Sequence, residues 1–115
     1  MGSIVPEGAK GLSQDVFLLS LPSPPNTAWI AQIEAAHPGL TVRWVTQSLK
    51  YPPDPLPEGS YDDVTMLCTL WPHPAEMLPK VRYVQLISAG ADKWITHDLY
   101  KNPNVTFCTA NGVHA

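Results

Sequence analysis

Apolar and polar positions fall along this chain in short blocks, and the period of the blocks alternates between strand-like and helix-like. Asp15 to Leu21 (Asp-Val-Phe-Leu-Leu-Ser-Leu) is a nearly continuous apolar run of strand length. Asn26 is then placed to cap a helix whose Trp29, Ile30, Ile33 and Ala36 share one face. His37-Pro38-Gly39 supplies the stop signals. Thr41 to Gln47 is β-branched and aromatic, which predicts a second strand. Ser48 to Ser60 is a proline-rich loop, and Asp63 to Leu70 (Asp-Val-Thr-Met-Leu-Cys-Thr-Leu) a third strand. Trp71 to Met77 reads as a loop entering a short helix. Val81 to Ser88 is the fourth strand, Asp92 to Tyr100 a helix and Val105 to Thr109 the fifth strand.

Strands that alternate with crossovers predict a parallel sheet covered by helices on both faces. Right-handed crossovers give such an α/β sheet the flavodoxin-like order 2-1-3-4-5, with ligands expected beyond the carboxyl ends of the strands. Those ends are Leu21-Pro22-Ser23, Leu70-Trp71-Pro72-His73, Ser88-Ala89-Gly90 and Ala110-Asn111-Gly112. The thirteen prolines gather between the periodic blocks, so they punctuate loops and do not make one disordered tract. Residues 1–11 carry no periodicity and are expected to be a mobile tail, with the folded unit spanning 12–110.

With 115 residues the chain is expected to form a single domain. A net charge of −3 gives no basic field, so no nucleic-acid partner is expected. No apolar run approaches the roughly 20 residues that span a bilayer, and Met1 to Lys10 lacks the order of a secretory signal. The expectation is a cytoplasmic protein without membrane contact.

The densest chemical signal is Val84-Gln85-Leu86-Ile87-Ser88-Ala89-Gly90-Ala91-Asp92. A buried strand that opens into a glycine turn before a helix leaves backbone N–H groups free to seat a small anion. The same turn also reads as a plain strand-to-helix connection, with Gly90 permitting positive φ and Asp92 capping the helix. Trp71, at the end of the third strand, is a candidate pocket wall, although packing of the strand end is the commoner role of such a tryptophan. His37, His73, His97 and His114 show no paired spacing, and with only Cys68 and Cys108 beside them no metal site is expected. One intervening strand would hold the two cysteines roughly 9–10 Å apart, beyond disulfide reach, as inert core thiols. Asp62-Asp63 invites a metal or phosphoacceptor reading, but the pair precedes its strand, at the end opposite the expected ligand edge, and reads as a solvated strand entry. A flavin-phosphate loop is not expected after the first strand, because Ser20 to Pro25 is rich in prolines that have no N–H. No GxGxxG occurs, so no dinucleotide fingerprint is present.

Three segments together, Leu70-Trp71-Pro72-His73-Pro74-Ala75-Glu76-Met77-Leu78, Val84 to Asp92, and Val105 to Asn111-Gly112-Val113-His114, resemble the D-isomer-specific 2-hydroxyacid dehydrogenases. The likeness is nearest to the glyoxylate/hydroxypyruvate reductase branch and runs from about Val16 to Ala115. It implies the amino-terminal, substrate-binding lobe of a two-lobed enzyme whose Rossmann lobe binds NAD or NADP. It further implies that the backbone amides of Ala89, Gly90 and Ala91 hold the carboxylate of a small 2-oxoacid or 2-hydroxyacid. Trp71 would line the substrate pocket, and Asn111 and Gly112, within 111–115, would begin the helix that hinges the lobes.

No position matches that family's catalytic arginine, glutamate or histidine, and His114 sits in the hinge motif. The chain alone is therefore expected to bind no cofactor and to be catalytically inactive. It is also expected to self-associate through an exposed interlobe surface. Two other readings stand beside this one. One is a non-enzymatic carboxylate-binding or partner-pairing module; the other is a truncated gene product without function.

Overall fold

The computed structural model describes residues 15–51, 53–87, 94 and 96–109. Five strands, β1 (Val16–Leu21), β2 (Thr41–Thr46), β3 (Met66–Thr69), β4 (Tyr83–Leu86) and β5 (Thr106–Cys108), form one sheet. Its order is β2-β1-β3-β4-β5 and every neighbouring pair is parallel, a compact α/β arrangement consistent with a flavodoxin-like fold.

The register explains how the sheet is covered. Leu18, Leu67, Val84 and Phe107 lie side by side across four strands, and Ser20, Thr69 and Leu86 form the next row on the same face. Against this face pack Leu56, Tyr61 and Val64 from the β2–β3 connection, Ala75 and Leu78 from β3–β4, and Trp94 and Leu99 from β4–β5. Leu18, Leu67, Val84 and Leu86 are completely buried. Each such side chain contributes about 1.5–3 kcal/mol by leaving water. The opposite face receives helix α1 (Thr27–Ala36), whose Trp29 meets Trp44 edge to face with ring centroids 6.3 Å apart. Farther along that face, Met66, Tyr83, Gln85 and Cys108 are only half-buried.

Local chemistry sets the boundaries. The Oδ1 of Asn26 accepts from the N–H of Trp29 at 3.0 Å, so α1 starts with a capped turn. Trp29, Ile30 and Ile33 are half-buried while Ala36 is exposed, so the apolar stripe of α1 is narrower than its spacing predicts. The strand expected from Asp63 begins three residues later, at Met66. Asp63 adopts φ +58°, and the N–H of Asp62 and of Val64 are taken up by turns to Gly59 and Tyr61. The helix expected over Asp92 to Tyr100 is, among the described residues, a single turn α2 (Asp98–Lys101). The side chain of His97 accepts from the N–H of Leu99 and so starts the helix late. A 3₁₀ turn, Ala75–Met77, supplies the short helix expected after Trp71.

At the amino edge of the sheet, Asp15 is 2% exposed and accepts both Nη1 and Nη2 of Arg82, at 2.6 and 2.8 Å. The hydroxyl of Thr65 donates to the same carboxylate at 2.9 Å. This clamp joins the approaches to β1, β3 and β4. The guanidinium of Arg82 above all holds the Asp15 carboxyl below the usual carboxylate range. Cys68 and Cys108 are aligned through Gln85 on the intervening strand and are both free thiols. Cys68 is buried, which pushes its thiol up to about 11, whereas Cys108 is half-buried and so less of a core residue than expected.

Candidate functional site

The carboxyl edge of the sheet brings β3 and β4 out together. Thr69 is opposite Leu86, and the next N–H, of Ile87, donates to the carbonyl of Thr69 at 3.2 Å. The chain therefore leaves the sheet beside the Trp71 segment just before Ser88. Trp71 is half-buried, and its ring lies 4.8 Å from that of Tyr51 on the proline-rich connection. Ala89, Gly90 and Ala91, together with Asn111 and Gly112, lie outside the described residues.

Behind Trp71 a directed hydrogen-bond chain fixes this edge. The hydroxyl of Thr69 donates to the carbonyl of Trp71 at 2.9 Å, so its oxygen faces Nε2 of His73, 3.2 Å away, as an acceptor. Nε2 must then carry the proton, which leaves Nδ1 to accept from the Tyr61 hydroxyl at 2.7 Å. His73 is 3% exposed; burial, with a smaller effect of His97, holds it down to about 4. Burial also raises the Tyr61 phenol to about 12. Both groups are neutral at physiological pH. His97 joins the chain: its Nδ1 accepts from the N–H of Leu99, and its Nε2 donates to the carbonyl of His73.

The proline-rich connection is tethered to the same edge. Buried Ser20 donates to Oε1 of Gln47 at 2.7 Å, and Nε2 of Gln47 donates to the carbonyl of Asp54 at 3.3 Å. Between this connection and the segment from Pro72 to Met77 lies an open-sided cavity of about 710 Å³, with Tyr51, Tyr61, His73 and His97 among its walls.

With both ring nitrogens engaged and its proton affinity low, His73 is a positioning residue and is not arranged as a general acid. Its flanking prolines and its place after a strand end were the sequence signal for it. The partner Tyr61, twelve residues earlier, had none, since only the tertiary fold brings it there. Among the described residues no group of three or more His, Cys, Asp or Glu side chains could hold a metal ion. No helix among them is long and apolar enough to cross a membrane. No protein-family model, curated protein or solved structure matches the chain.

Proposed function

We propose that the chain is the substrate-binding lobe of an NAD(P)-dependent D-2-hydroxyacid dehydrogenase, a reductase of small 2-oxoacids such as glyoxylate or hydroxypyruvate. The observation that carries this reading is the pairing of β3 with β4 up to the bond between Ile87 and Thr69. It sets the Trp71 segment beside Ile87 at one sheet edge, where open α/β sheets bind ligands. The amides of Ala89, Gly90 and Ala91 would hold the carboxylate, and Trp71, steadied by Tyr51 and by the Thr69 bond to its carbonyl, would wall the carbon chain. Asn111 and Gly112 would begin the hinge to the second lobe.

The residues of this chain do not fit the dinucleotide itself. The sequence has no GxGxxG, and three carboxylates, of Asp54, Glu58 and Asp62, line the cavity and would repel a diphosphate. On this reading the cofactor and the acid that protonates the product oxygen belong to the other lobe. This chain binds and orients the acid and does not turn it over alone.

The test is a fluorescence titration with hydroxypyruvate against dihydroxyacetone, which lacks the carboxylate. Saturable quenching by the acid alone, lost in Trp71→Phe and unaccompanied by NADH oxidation, is the expected result. Equal responses to both compounds would refute carboxylate recognition.

A further inference from the structure

We propose that the cavity beneath the proline-rich connection is a second site, one that takes an organic ammonium ion with an apolar or aromatic body. The inference goes beyond the oxoacid reading and does not rest on it. Three observations converge on this chemistry.

The first is size. A cavity of about 710 Å³ lies within the range of small-molecule sites, about 300–1,000 Å³. The second is its walls. Tyr51, Leu56, Tyr61 and Met77, with prolines on both sides, offer an apolar and aromatic lining. Tyr51 and Met77 are about half exposed, so their surface is open to a ligand. Phenol faces also attract a cation that has been stripped of water.

The third observation is charge. Asp54, Glu58 and Asp62 line the cavity, and among the described residues no lysine or arginine does. Asp54 is bonded to Lys50 at 3.0 Å on the surface. Glu58 and Asp62 have no ion-pair partner among the described residues, where the ion pairs are those of Lys50, Lys80 and Arg82. Arg43 passes nearby, but its Nη1 donates to the carbonyls of Gly59, Ser60 and Asp62 and makes no ion pair with a cavity carboxylate. His73 adds no positive charge to the wall, because its Nδ1 accepts the hydrogen bond of the Tyr61 hydroxyl. An anion entering here meets like charge, and a cation meets its complement.

The experiment compares phenethylammonium with 3-phenylpropionate, which share a body and differ in charge, by two-dimensional NMR on the full chain. The expected result is saturable binding of the ammonium ion, in about the millimolar range, with shifts at Tyr51, Tyr61 and Met77. The carboxylate should produce no saturable shifts at those residues. Raising the salt should weaken the ammonium binding, and the double variant Glu58→Gln/Asp62→Asn should weaken it by at least about fivefold. If that variant does not fold, the contrast between the two compounds and the salt dependence decide the matter on the native chain. Equal binding of both compounds at those residues, no saturation by the ammonium ion, or salt-independent binding would overturn the proposal. Failure of oxoacid binding would leave this outcome untouched, because it is read at different residues.

Discussion

Replacing His73 by phenylalanine makes a sharp prediction about acid stability. In the unfolded chain this imidazole takes up a proton near its ordinary value of 6.5; in the folded protein it does so only at about 4. Between those values the unfolded state binds the extra proton, so stability rises with pH across the window and falls on acidification. The whole displacement amounts to about 3 kcal/mol, of which about 2 kcal/mol is lost between about pH 7 and pH 5. Because the ring is 3% exposed, solvent screening removes little of this. The phenylalanine variant cannot titrate. It also leaves the Tyr61 hydroxyl without its acceptor, at a cost of about 1–2 kcal/mol at neutral pH. Urea melts of both proteins at the two pH values give the difference directly. The native protein should lose about 2 kcal/mol more than the variant on acidification. Equal losses would refute the buried, neutral assignment of His73 and with it the directed chain from Tyr61 to Trp71.

Further consequences follow from the rest of the molecule. Asp15→Asn should cost about 1–3 kcal/mol at neutral pH by removing a charge-assisted pair from a buried carboxylate, as read by urea melts. Because the Asp15 carboxyl is held low, its contribution is present above the ordinary value of 3.8 and is lost as pH falls through its folded value. The Asn variant should lack that loss. Asn26→Ala should cost about 1 kcal/mol by uncapping α1, measured as a shift in the denaturation midpoint. Alkylation of the native protein should reach half-buried Cys108 before buried Cys68, whose thiol is pushed up to about 11; peptide mapping after brief iodoacetamide treatment reads the order.

The features legible in the sequence are those in which neighbours along the chain decide the outcome. Asn26 stands three residues before the N–H it caps, and the alternation of apolar runs with crossovers leaves few sheet orders open. From that pattern came the order β2-β1-β3-β4-β5 and the juxtaposition of the Trp71 segment with the end of β4. The site network was not legible, because its partners meet only through the fold. Tyr61 reaches His73 from a connection that has turns in place of a helix, and Asp15 reaches Arg82 across 67 residues. The length of the last helix failed for a different reason. The His97 side chain competes for the N–H of Leu99, and no periodicity of apolar residues reports such a cap. The acidic cavity was hidden likewise, since Asp54 and Glu58 fall in the proline-rich loop and Asp62 at a strand entry, and only the folded chain gathers them around one space.

The central claim, carboxylate recognition at the edge shared by β3 and β4, is tested most directly by titrating isotope-labelled chain with glyoxylate and following each backbone amide and the tryptophan indoles. The account predicts saturable shifts concentrated at Ala89, Gly90, Ala91 and the Trp71 indole, with the cavity residues Tyr51 and Tyr61 responding less. Shifts absent from those positions, or spread evenly over the surface, would contradict it.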